Sequence, residues 1–395
     1  MSGNNVTYNI KYNYRPPDVI SFYNDEEKAN RGFLIIDNLI YNISAGGIRM
    51  LPDVTPQEVY ELAETMSYKF AVLDLPIGGA KAGIIDNGSD HDSQVNDFAY
   101  FLKPFVQSMT YSPGADMGTS GADVHKVFSV AGINELIPSN RFKEKINGIP
   151  FEDVMTGYGV AIAAKTTYDY FGADISQADF AIEGFGKVGM GTALQLSKMG
   201  AKITGISNVF GSIYDPDGFD VKKLLELRLK YGDDFIKNVG YEILPRERLF
   251  EFKTSGIVLG TRPYVISNEN YNRIQAEFVI EAANIPITDE AEQLLFQRNK
   301  KISPDLITNS GGVLSELIDR LLGSEVSNEK IFQIVGEVIR GKLTEIYKIS
   351  QKDVSNPKET AVKIARSKIR NDRNKGRSNF TLEKSMSHIL SKLNI

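Results

Sequence analysis

A glycine-rich turn between an apolar strand and a helix constrains the fold of this chain more than any other feature. Residues 178–183 have the pattern of a strand, Gly184-Phe-Gly-Lys-Val-Gly189 follows, a helix runs to Met199, and residues 201–207 form a second strand. In such a unit the first glycine makes a tight turn and the second lets a pyrophosphate approach the helix N-terminus. The pattern therefore predicts a dinucleotide-binding βαβ unit.

The rest of the chain extends this unit into a larger α/β architecture. Strand-like segments at 256–260 and 278–284 alternate with helical ones, which predicts a parallel, doubly wound sheet. At 395 residues the chain is long enough for two domains. We assign residues 151–329 to a Rossmann-type domain, and residues 1–150 with about 330–395 to an N-terminal α/β domain onto which the helical tail returns.

Composition excludes several classes of function. There are 45 Lys and Arg against 50 Asp and Glu, a net charge of −5, so no general nucleic-acid surface is expected; the basic cluster at 363–377 is interpreted as a solvated helix face. The chain has no cysteine, which excludes disulfides. It has only three histidines, His91, His125 and His388, widely separated in the sequence, so no metal site is expected. No apolar run approaches 18 residues, and we expect a cytoplasmic protein without a membrane partner.

Two lysines in an apolar, glycine-rich context are the strongest chemical signal. Lys81 lies in Pro76-Ile-Gly-Gly-Ala-Lys-Ala-Gly83, twelve positions after Lys69. A lysine with little polar company loses solvation of its charged form, so its pKa falls and it can act as a base. A second, charged lysine nearby would lower that pKa further and could hold a carboxylate. The alternative is that both are ordinary surface charges, as most lysines are.

Local signals place these lysines on secondary structure. Residues 32–44 alternate like two paired strands with a turn at Asp37-Asn38. Thr55 before Pro56 is a helix N-cap, which puts Lys69 near the end of that helix and Lys81 in a glycine loop beyond it, where both can face one cleft. Helices are also expected at 94–109, at 121–131 and over Val160 to Tyr170. The segment 112–120 contains Pro and Gly, so Asp116 is expected on a loop.

At this point several segments together resemble one family, the glutamate, leucine, phenylalanine and valine dehydrogenases. The matching segments occur in the family's order over nearly the whole length of the chain. They are Ala45-Gly-Gly-Ile-Arg-Met, Met66-Ser-Tyr-Lys, Gly78-Gly-Ala-Lys, Asp116-Met-Gly-Thr, Gly184-Phe-Gly-Lys-Val-Gly, Ala283-Asn and Asn309-Ser-Gly-Gly-Val. The resemblance implies an NAD(P)-dependent enzyme that oxidatively deaminates an L-amino acid to a 2-oxo acid and ammonia, reversibly.

The resemblance also implies roles for individual residues. Lys69 would bind the α-carboxylate, Lys81 would activate water on the iminium, and Asp116 would move protons to and from the amino group. The other implied substrate contacts are Ala45, Gly46, Gly47 and Glu316. The implied cofactor contacts are Gly184, Phe185, Gly186, Lys187, Val188, Gly189, Asn208, Thr156, Asn284 and Asn309. A homo-oligomer built through the N-terminal domain, with a hexamer favoured, is the implied assembly.

The side-chain pocket departs from the glutamate enzymes of the family. Those enzymes carry a lysine where this chain has Ala45, and a serine seven residues after the asparagine that corresponds to Asn309, where this chain has Glu316. Loss of a cation and gain of an anion argue against a substrate carboxylate and for an apolar or cationic side chain. If the count is off by one helical turn, Glu316 is a solvated charge. A true glutamate dehydrogenase therefore remains an alternative.

Two further alternatives concern the cofactor and catalysis itself. The second strand ends at Ser207-Asn208, without the acid that would receive the ribose of NAD and without an adjacent arginine for the phosphate of NADP. Lys187 could serve such a phosphate or be solvated, so NAD and NADP both remain candidates. Ala82 replaces the family's glycine after the lysine, which leaves open a catalytically silent relative that binds nucleotide or amino acid.

Overall fold

The computed structural model describes residues 10–133, 140–323, 326–375 and Ser387. The chain divides into two compact units, one made of Met1–Ile137 with Ile364–Ile395 and the other of Pro138–Lys363. The predicted two-domain α/β fold is confirmed. Within the described ranges, no helix has both the length and the apolar character needed to cross a membrane.

A five-stranded sheet forms the centre of the first unit. Its strands are β1 (Val19–Asp25), β2 (Asn30–Ile36), β3 (Ser44–Leu51), β4 (Gly78–Ile85) and β5 (Ser112–Ala115), and they are connected in part by helices α1 (Pro56–Val72), α2 (His91–Gln107) and α3 (Gly121–Ala131). The spatial order is β1-β2-β4-β3-β5, with β4, β3 and β5 parallel to one another and β2 antiparallel to both β1 and β4. Parallel strands end at the same edge of a sheet, so β4, β3 and β5 bring their last residues together.

Both faces of this sheet are covered, and alternate residues of β2 show which helix covers which face. Phe33 and Ile35 pack with Val59 and Tyr60 of α1. Leu34 and Ile36 pack instead with residues of α2 and α3. Because successive side chains of a strand point to opposite faces, each residue's position decides its helical neighbour.

The expectation that Lys81 lies in a glycine loop is wrong, because Gly78–Ile85 is a strand. Lys81 of β4 is paired with Ile35 of β2, so the Lys81 side chain lies on the face covered by α1. A Cβ at Gly79 would overlap the backbone of α1 at Ala63 and Ser67, and the Gly79 N–H donates to Ser67 Oγ at 2.9 Å. The glycines here permit close packing of a helix on a strand, a known use of glycine in strands.

The predicted hairpin over residues 32–44 is also wrong. Its first half lies in β2, but residues 37–43 belong to no strand, and the chain re-enters the sheet only at Ser44, where β3 begins, with β4 between β2 and β3. The Asp37 N–H donates to Gly79 O at 2.9 Å and the Gly78 N–H donates to Ile43 O at 2.8 Å. The segment after β2 thus bonds to the start of β4, a long-range pairing that an alternating pattern cannot reveal.

The helix predicted from Thr55 is confirmed. Thr55 Oγ1 accepts a hydrogen bond from the Glu58 N–H at 3.2 Å, and Pro56 opens α1. Lys69 lies in the last turn of α1, as expected. The helices predicted at 94–109 and 121–131 correspond to α2 and α3. Asp116 lies just after β5, so the predicted loop of residues 112–120 begins only at its position.

A six-stranded sheet forms the centre of the second unit. The strands of this unit are β6 (Lys145–Ile146), β7 (Ile149–Pro150), β8 (Asp179–Glu183), β9 (Lys202–Asn208), β10 (Gly211–Tyr214), β11 (Gly256–Leu259), β12 (Phe278–Glu281) and β13 (Lys301–Ser303). The helices are α4 (Phe151–Tyr170), α5 (Lys187–Lys198), α6 (Val221–Tyr231), α7 (Asp289–Gln297), α8 (Asp305–Thr308), α9 (Gly311–Leu322), α10 (Asn328–Asp353) and α11 (Pro357–Lys375), the last of which continues into the first unit. Strands β6 and β7 form a separate short hairpin.

The large sheet confirms the predicted βαβ unit and its parallel extension. The strand order is β10-β9-β8-β11-β12-β13; only β10 runs antiparallel to its neighbour. Phe180 and Ile182 are buried against α4 and α5, whereas Ala181 faces Ile257 and Leu259 in a second core. Successive strands are added on one side of β8 up to β10 and on its other side from β11 onward. In such sheets ligands bind beyond the carboxyl ends of the strands at the position where this order changes side.

The boundaries between the two units differ from those expected at 150 and 330. Residues 138–150 and 330–363 belong to the second unit. The reason lies in α10, whose Tyr347 hydroxyl donates to Ile302 O at 3.0 Å and lies 2.8 Å from Thr167 Oγ1 of α4. This helix therefore packs on the second unit, and only the chain from Ile364 onward joins the first.

The basic cluster of α11 is less solvated than its composition indicates. Arg366 Nε donates to the Tyr68 hydroxyl at 2.9 Å, and Lys368 Nζ lies 2.5 Å from Asp74 Oδ1. Arg373 pairs with Asp18 at 2.8 Å. These contacts all lie within the first unit, to which the chain from Ile364 onward is assigned.

Candidate active site

Three ionisable side chains meet in the first unit, carried by β3, by β4 and by the residue that follows β5. Lys81 of β4 lies 2.8 Å from Asp116 Oδ2, and Arg49 Nε of β3 donates to the same oxygen at 2.9 Å. Arg49 also contacts Glu58 of α1 through its NH1 group. The structure thus brings together Lys81 and Asp116, which the sequence analysis placed in one site on different segments.

Burial changes the acid–base properties of this group. The Lys81 side chain is 4% exposed. Burial lowers the pKa of the Lys81 ammonium, and the charge of Arg49 lowers it further, while Asp116 acts in the opposite direction without cancelling the effect. Burial alone would raise the pKa of Asp116, but Lys81 and Arg49 outweigh it and hold that pKa at about 2. The Asp116 carboxylate is therefore ionised at neutral pH.

Gly47 keeps the space beside this pair open. A Cβ at Gly47 would lie 2.8 Å from Asp116 Cβ and 3.1 Å from Lys81 Nζ. Gly46 has a different role, because a Cβ there would overlap Ala80 O, and its own carbonyl accepts from the Tyr111 hydroxyl at 2.9 Å. Of the two predicted glycine contacts, only Gly47 lies directly beside the ionised pair.

Lys69 and Ala45 also belong to the first unit. Lys69 is buried at 3% exposure in α1, the helix that covers the Lys81 face of the sheet. Ala45 lies on β3 opposite Gly79 of β4 and Ser112 of β5, and it is half-buried. Lys81 thus lies on the sheet face that α1 covers, and Lys69 lies in α1 itself.

The residues that hold Asp116 in place were not predicted from the sequence. Arg49 was quoted within Ala45–Met50 without a role, although it is two residues after Gly47 and therefore on the same strand face. The Asp116 N–H donates to Thr119 Oγ1 at 3.0 Å, and Thr119 donates in turn to Ile48 O at 2.6 Å. A buried arginine in an apolar strand was the available signal, because buried charges in proteins are paired.

In the second unit, the glycine turn has the shape that a dinucleotide requires. Gly184 has a φ of +91°, which favours glycine, and a Cβ at Gly189 would overlap the Gly184 carbonyl. A Cβ at Gly186 would meet no protein atom within 4 Å. No side chain caps the N-terminus of α5 at this point. The turn thus leaves its second glycine accessible beside uncapped helix N–H groups, which fits a pyrophosphate.

The predicted contacts within this turn differ in their surroundings. Phe185 is 1% exposed and its ring stacks on Phe235, so its side chain belongs to the core. Val188 also packs against that core. Lys187 is exposed, and its charge partly opposes the rise that burial causes in the pKa of the nearby Glu152. Only the backbone of Phe185 and Val188 remains for a nucleotide, whereas Lys187 offers a charged side chain.

Asn208 at the end of β9 is fully engaged in local structure. Its Nδ2 donates to Asp233 O at 2.6 Å, and its Oδ1 accepts from the Phe210 N–H at 2.9 Å. The sequence analysis found no arginine adjacent to this strand end, but the fold supplies Arg228, whose Nε donates to Phe185 O at 3.0 Å. Arg228 pairs with Asp233 at 2.8 Å. Both come from outside the βαβ unit and could not be located by sequence distance.

Asn284 lies in the connection after β12, Asn309 lies between α8 and α9, and Thr156 lies in α4. Asn309 Nδ2 donates to Asn284 Oδ1 at 3.0 Å and to Ala282 O at 3.2 Å. Thr156 Oγ1 lies close to Gly312 of α9, since a Cβ built at Gly312 would be 2.5 Å from that oxygen. The two asparagine segments thus meet just beyond β12, whose carboxyl end shares a sheet edge with the glycine turn.

Glu316 has a local ionic partner. It lies in α9 and pairs with Arg320 at 2.5 Å, with its side chain 25% exposed. Burial, followed by the charges of Glu316 and Asp153, raises the pKa of Glu152 to about 8. Glu316 is therefore neither a fully solvated charge nor an unpaired one. Across the described part of the chain, no group of three His, Cys, Asp or Glu residues is arranged to hold a metal ion.

Comparison with known proteins gives consistent matches to both units. The profile of the Glutamate/Leucine/Phenylalanine/Valine dehydrogenase family matches residues 148–376, and that of the Glu/Leu/Phe/Val dehydrogenase dimerisation domain matches residues 19–130. A glutamate dehydrogenase of Halobacterium salinarum is 32% identical over 293 residues, which cover 71% of this chain and 69% of the relative. An NAD-specific glutamate dehydrogenase of Staphylococcus aureus strain COL is 29% identical over 338 residues, covering 82% and 81%.

Solved structures agree with these matches at the level of fold. The hetero-hexameric glutamate dehydrogenase from Thermus thermophilus, in its Leu-bound form, has a TM-score of 0.79 with this chain and covers 91% of it and 90% of that chain. The two sequences are 21% identical. The similarity therefore supports the fold that both chains share.

Proposed function

Since the chain belongs to the glutamate/leucine/phenylalanine/valine dehydrogenase family, we propose that it is an NAD(P)-dependent amino-acid dehydrogenase with Lys81 and Asp116 as its catalytic residues. It converts an L-amino acid and water to a 2-oxo acid and ammonia, and it also runs the reverse reaction. A nicotinamide cofactor, when bound, accepts the hydride from Cα of the substrate. The protein contributes binding, orientation and proton transfer.

The buried pair of Lys81 and Asp116 beside Gly47 is the observation that carries this proposal. Lys81, with its lowered pKa, takes a proton from water as the water oxygen bonds to the iminium carbon. Asp116 exchanges a proton with the amino group and returns one to the departing ammonia. The 2.8 Å contact gives protons a direct path between the two side chains. Lys69 holds the α-carboxylate.

We propose NAD as the preferred nucleotide. The glycine turn, with its accessible Gly186 and the uncapped N-terminus of α5, would hold the pyrophosphate. Thr156, Asn284 and Asn309 would contact the cofactor and substrate. A relative described as NAD-specific, at 29% identity, supports this choice.

We further propose that the substrate is an L-amino acid with an apolar or cationic side chain. Ala45 offers no charge to a substrate carboxylate, and Glu316 adds an acid. The second candidate is glutamate, which is favoured by the names of the curated relatives and by the pairing of Glu316 with Arg320. Reduction of NAD+ and NADP+ with a panel of L-amino acids, including ornithine, separates the two.

Two substitutions test the catalytic roles. Lys81→Ala and Asp116→Asn should each lower kcat by about 100-fold to 10,000-fold, the usual contribution of a positioned acid or base. Binding of NAD+, measured by calorimetry, should stay within a few fold. Lys126→Ala is the matched control, because it removes a lysine that pairs with Asp92 at 3.2 Å on the surface of the same unit, and it should leave kcat unchanged.

Retained turnover in both Lys81→Ala and Asp116→Asn would overturn the assignment. If the wild-type protein binds nucleotide but turns over none of the amino acids in the panel, the result would support the alternative that this chain is a catalytically inactive member of the family.

We propose that the enzyme is a homo-oligomer, with a hexamer favoured. The matched profile of residues 19–130 is described as a dimerisation domain, and the Thermus thermophilus structure is hetero-hexameric. Light scattering on the purified single chain would distinguish a homo-hexamer from a smaller assembly or from a chain that requires a second subunit type.

A further inference from the structure

The end of β9 presents a problem for an enzyme that uses NAD. In dinucleotide-binding folds an acidic side chain at this point receives the ribose hydroxyls, but here the residue is Asn208. Both polar atoms of the Asn208 side chain already make hydrogen bonds, to Asp233 O and from the Phe210 N–H. Asn208 is 6% exposed. The Asn208 side chain is therefore used to bind the backbone of Asp233 and Phe210, which makes it a poor partner for a ribose.

We propose that Asp233, held in place by Arg228, supplies the missing acid and makes the site select NAD over NADP. This inference rests on the proposed function, since it assumes that the glycine turn binds a nicotinamide nucleotide. Asp233 follows α6, 25 residues after Asn208 in the sequence, and is brought back to the end of β9 by the 2.6 Å bond from Asn208 Nδ2 to its carbonyl.

Several contacts attach the Asp233 segment to the glycine turn. Phe235, two residues further on, is fully buried and stacks on Phe185 of the turn with ring centroids 5.4 Å apart. Arg228 Nε donates to Phe185 O at 3.0 Å, and its guanidinium lies 5.9 Å from the centre of the Phe235 ring. The Asp233 carboxylate is thus placed between the glycine turn and the end of β9, where the adenosine ribose of a dinucleotide binds in this fold.

The accessibility of Asp233 fits a role in recognition. Its side chain is 48% exposed, although Oδ1 pairs with Arg228 NH2 at 2.8 Å. An ionised carboxylate accepts several hydrogen bonds, so it can bind ribose hydroxyls while it remains paired. Arg228 is 18% exposed and also tied to Phe185 O, which fixes the position of the carboxylate.

The charge of Asp233 explains selection between the two nucleotides. A 2′-hydroxyl can donate to the carboxylate, whereas a 2′-phosphate brings two negative charges against it. The Lys237 cation is already paired, since its Nζ lies 2.5 Å from Asp234 and 3.7 Å from the centre of the Phe210 ring. Removal of the Asp233 charge would leave Arg228 as an uncompensated cation able to attract a phosphate.

The test is the affinity of the full-length protein for each nucleotide, measured by titration calorimetry without substrate. Wild-type protein should bind NAD+ more tightly than NADP+. Asp233→Asn should weaken NAD+ and strengthen NADP+, each by about tenfold, the size of one charge-assisted contact. Asp233→Glu keeps the charge and should keep the preference for NAD+.

Asp169→Asn is the matched control. Asp169 pairs with Lys165 at 2.8 Å and is 51% exposed, close to the values for Asp233, but it lies at the end of α4 that leads into the start of β8. Its substitution should change neither dissociation constant.

The outcomes separate this inference from the proposed function. Unchanged affinities in Asp233→Asn, or a wild-type preference for NADP+, would overturn the role of Asp233 while leaving the dehydrogenase assignment intact. Failure of wild-type protein to bind either nucleotide would remove the proposed function itself.

Discussion

Lys81 combines a buried ammonium with a carboxylate partner and a neighbouring guanidinium, and these three groups decide how its proton affinity is set. Burial and Arg49 lower its pKa, whereas Asp116 and Glu58 raise it. Arg49, which was given no role from the sequence, is the neighbouring cation among these causes. A lysine that works as a base must lose its proton near the working pH, so these neighbours determine the pH at which activity rises.

The pH profile should report this arrangement. For oxidative deamination, kcat/KM should rise with pH through an apparent pKa below the ordinary lysine value, because the neutral amine is the active form. Arg49→Gln removes the neighbouring cation and should move the rise to higher pH. Glu58→Gln removes a group that raises the pKa of Lys81 and should move the rise to lower pH. Shifts in the same direction in both variants would contradict this account.

At the scale of elements, the contact between β4 and α1 holds the two lysines near one sheet face. The glycines of β4 allow this contact, since Gly79 leaves no room for a side chain against Ala63 and Ser67. The same strand carries Lys81, and the same helix carries Lys69. Close packing and catalytic placement are therefore consequences of one glycine-rich strand.

Gly79→Ala should destabilise the first unit by about 1–3 kcal/mol, the usual penalty for overpacking, and in a thermal melt the transition should move down. Gly121→Ala is the matched control, because a Cβ at the first position of α3 meets no atom within 4 Å. Alanine is the better helix former, so that variant should be neutral or slightly more stable. Equal melting temperatures for the two variants would show that α1 can move away from β4.

At the scale of the whole molecule, α11 is shared by the two units, and a buried charge cluster anchors its first part. Lys358 Nζ lies 3.3 Å from Glu292, 3.6 Å from Glu281 and 3.7 Å from Asp305. The Asp305 carboxylate also accepts from the Ile285 N–H at 2.8 Å, next to Asn284. The cluster therefore connects α11 to the segment that is proposed to line the cofactor.

Lys358→Met should destabilise the second unit by about 3–5 kcal/mol, because it leaves buried carboxylates without their cation. Burial raises the pKa of Glu292 to about 7. Between the ordinary pKa of a glutamate and pH 7, the folded state therefore binds more protons than the unfolded state. Stability should therefore fall as pH rises through that window.

Since Lys358 lowers the pKa of both Glu281 and Glu292, its removal should move that fall to higher pH and make the loss larger at pH 8 than at pH 5. Urea unfolding at the two pH values measures the difference. Lys363→Met, which removes an exposed lysine paired with Glu359 on the same helix, should have little effect at either pH.

The elements and chemistry encoded in contiguous residues were predictable from the sequence. Thr55 capped the expected helix, and Gly184–Gly189 formed the expected turn, because caps and tight turns depend on a few consecutive residues. Lys81 and Asp116 were each expected in the active site through family resemblance, but their contact depends on the pairing of β3 with both β4 and β5.

What only the tertiary structure decided was which distant segments become neighbours. The insertion of β4 between β2 and β3 turned an expected glycine loop into a strand, and the pairing of β3 with β5 brought Arg49 to Asp116. The same kind of long-range contact placed Asp233 and Arg228 beside the glycine turn. Strand order and helix packing are set by the burial of whole faces, which depends on the entire chain and cannot be read from local spacing.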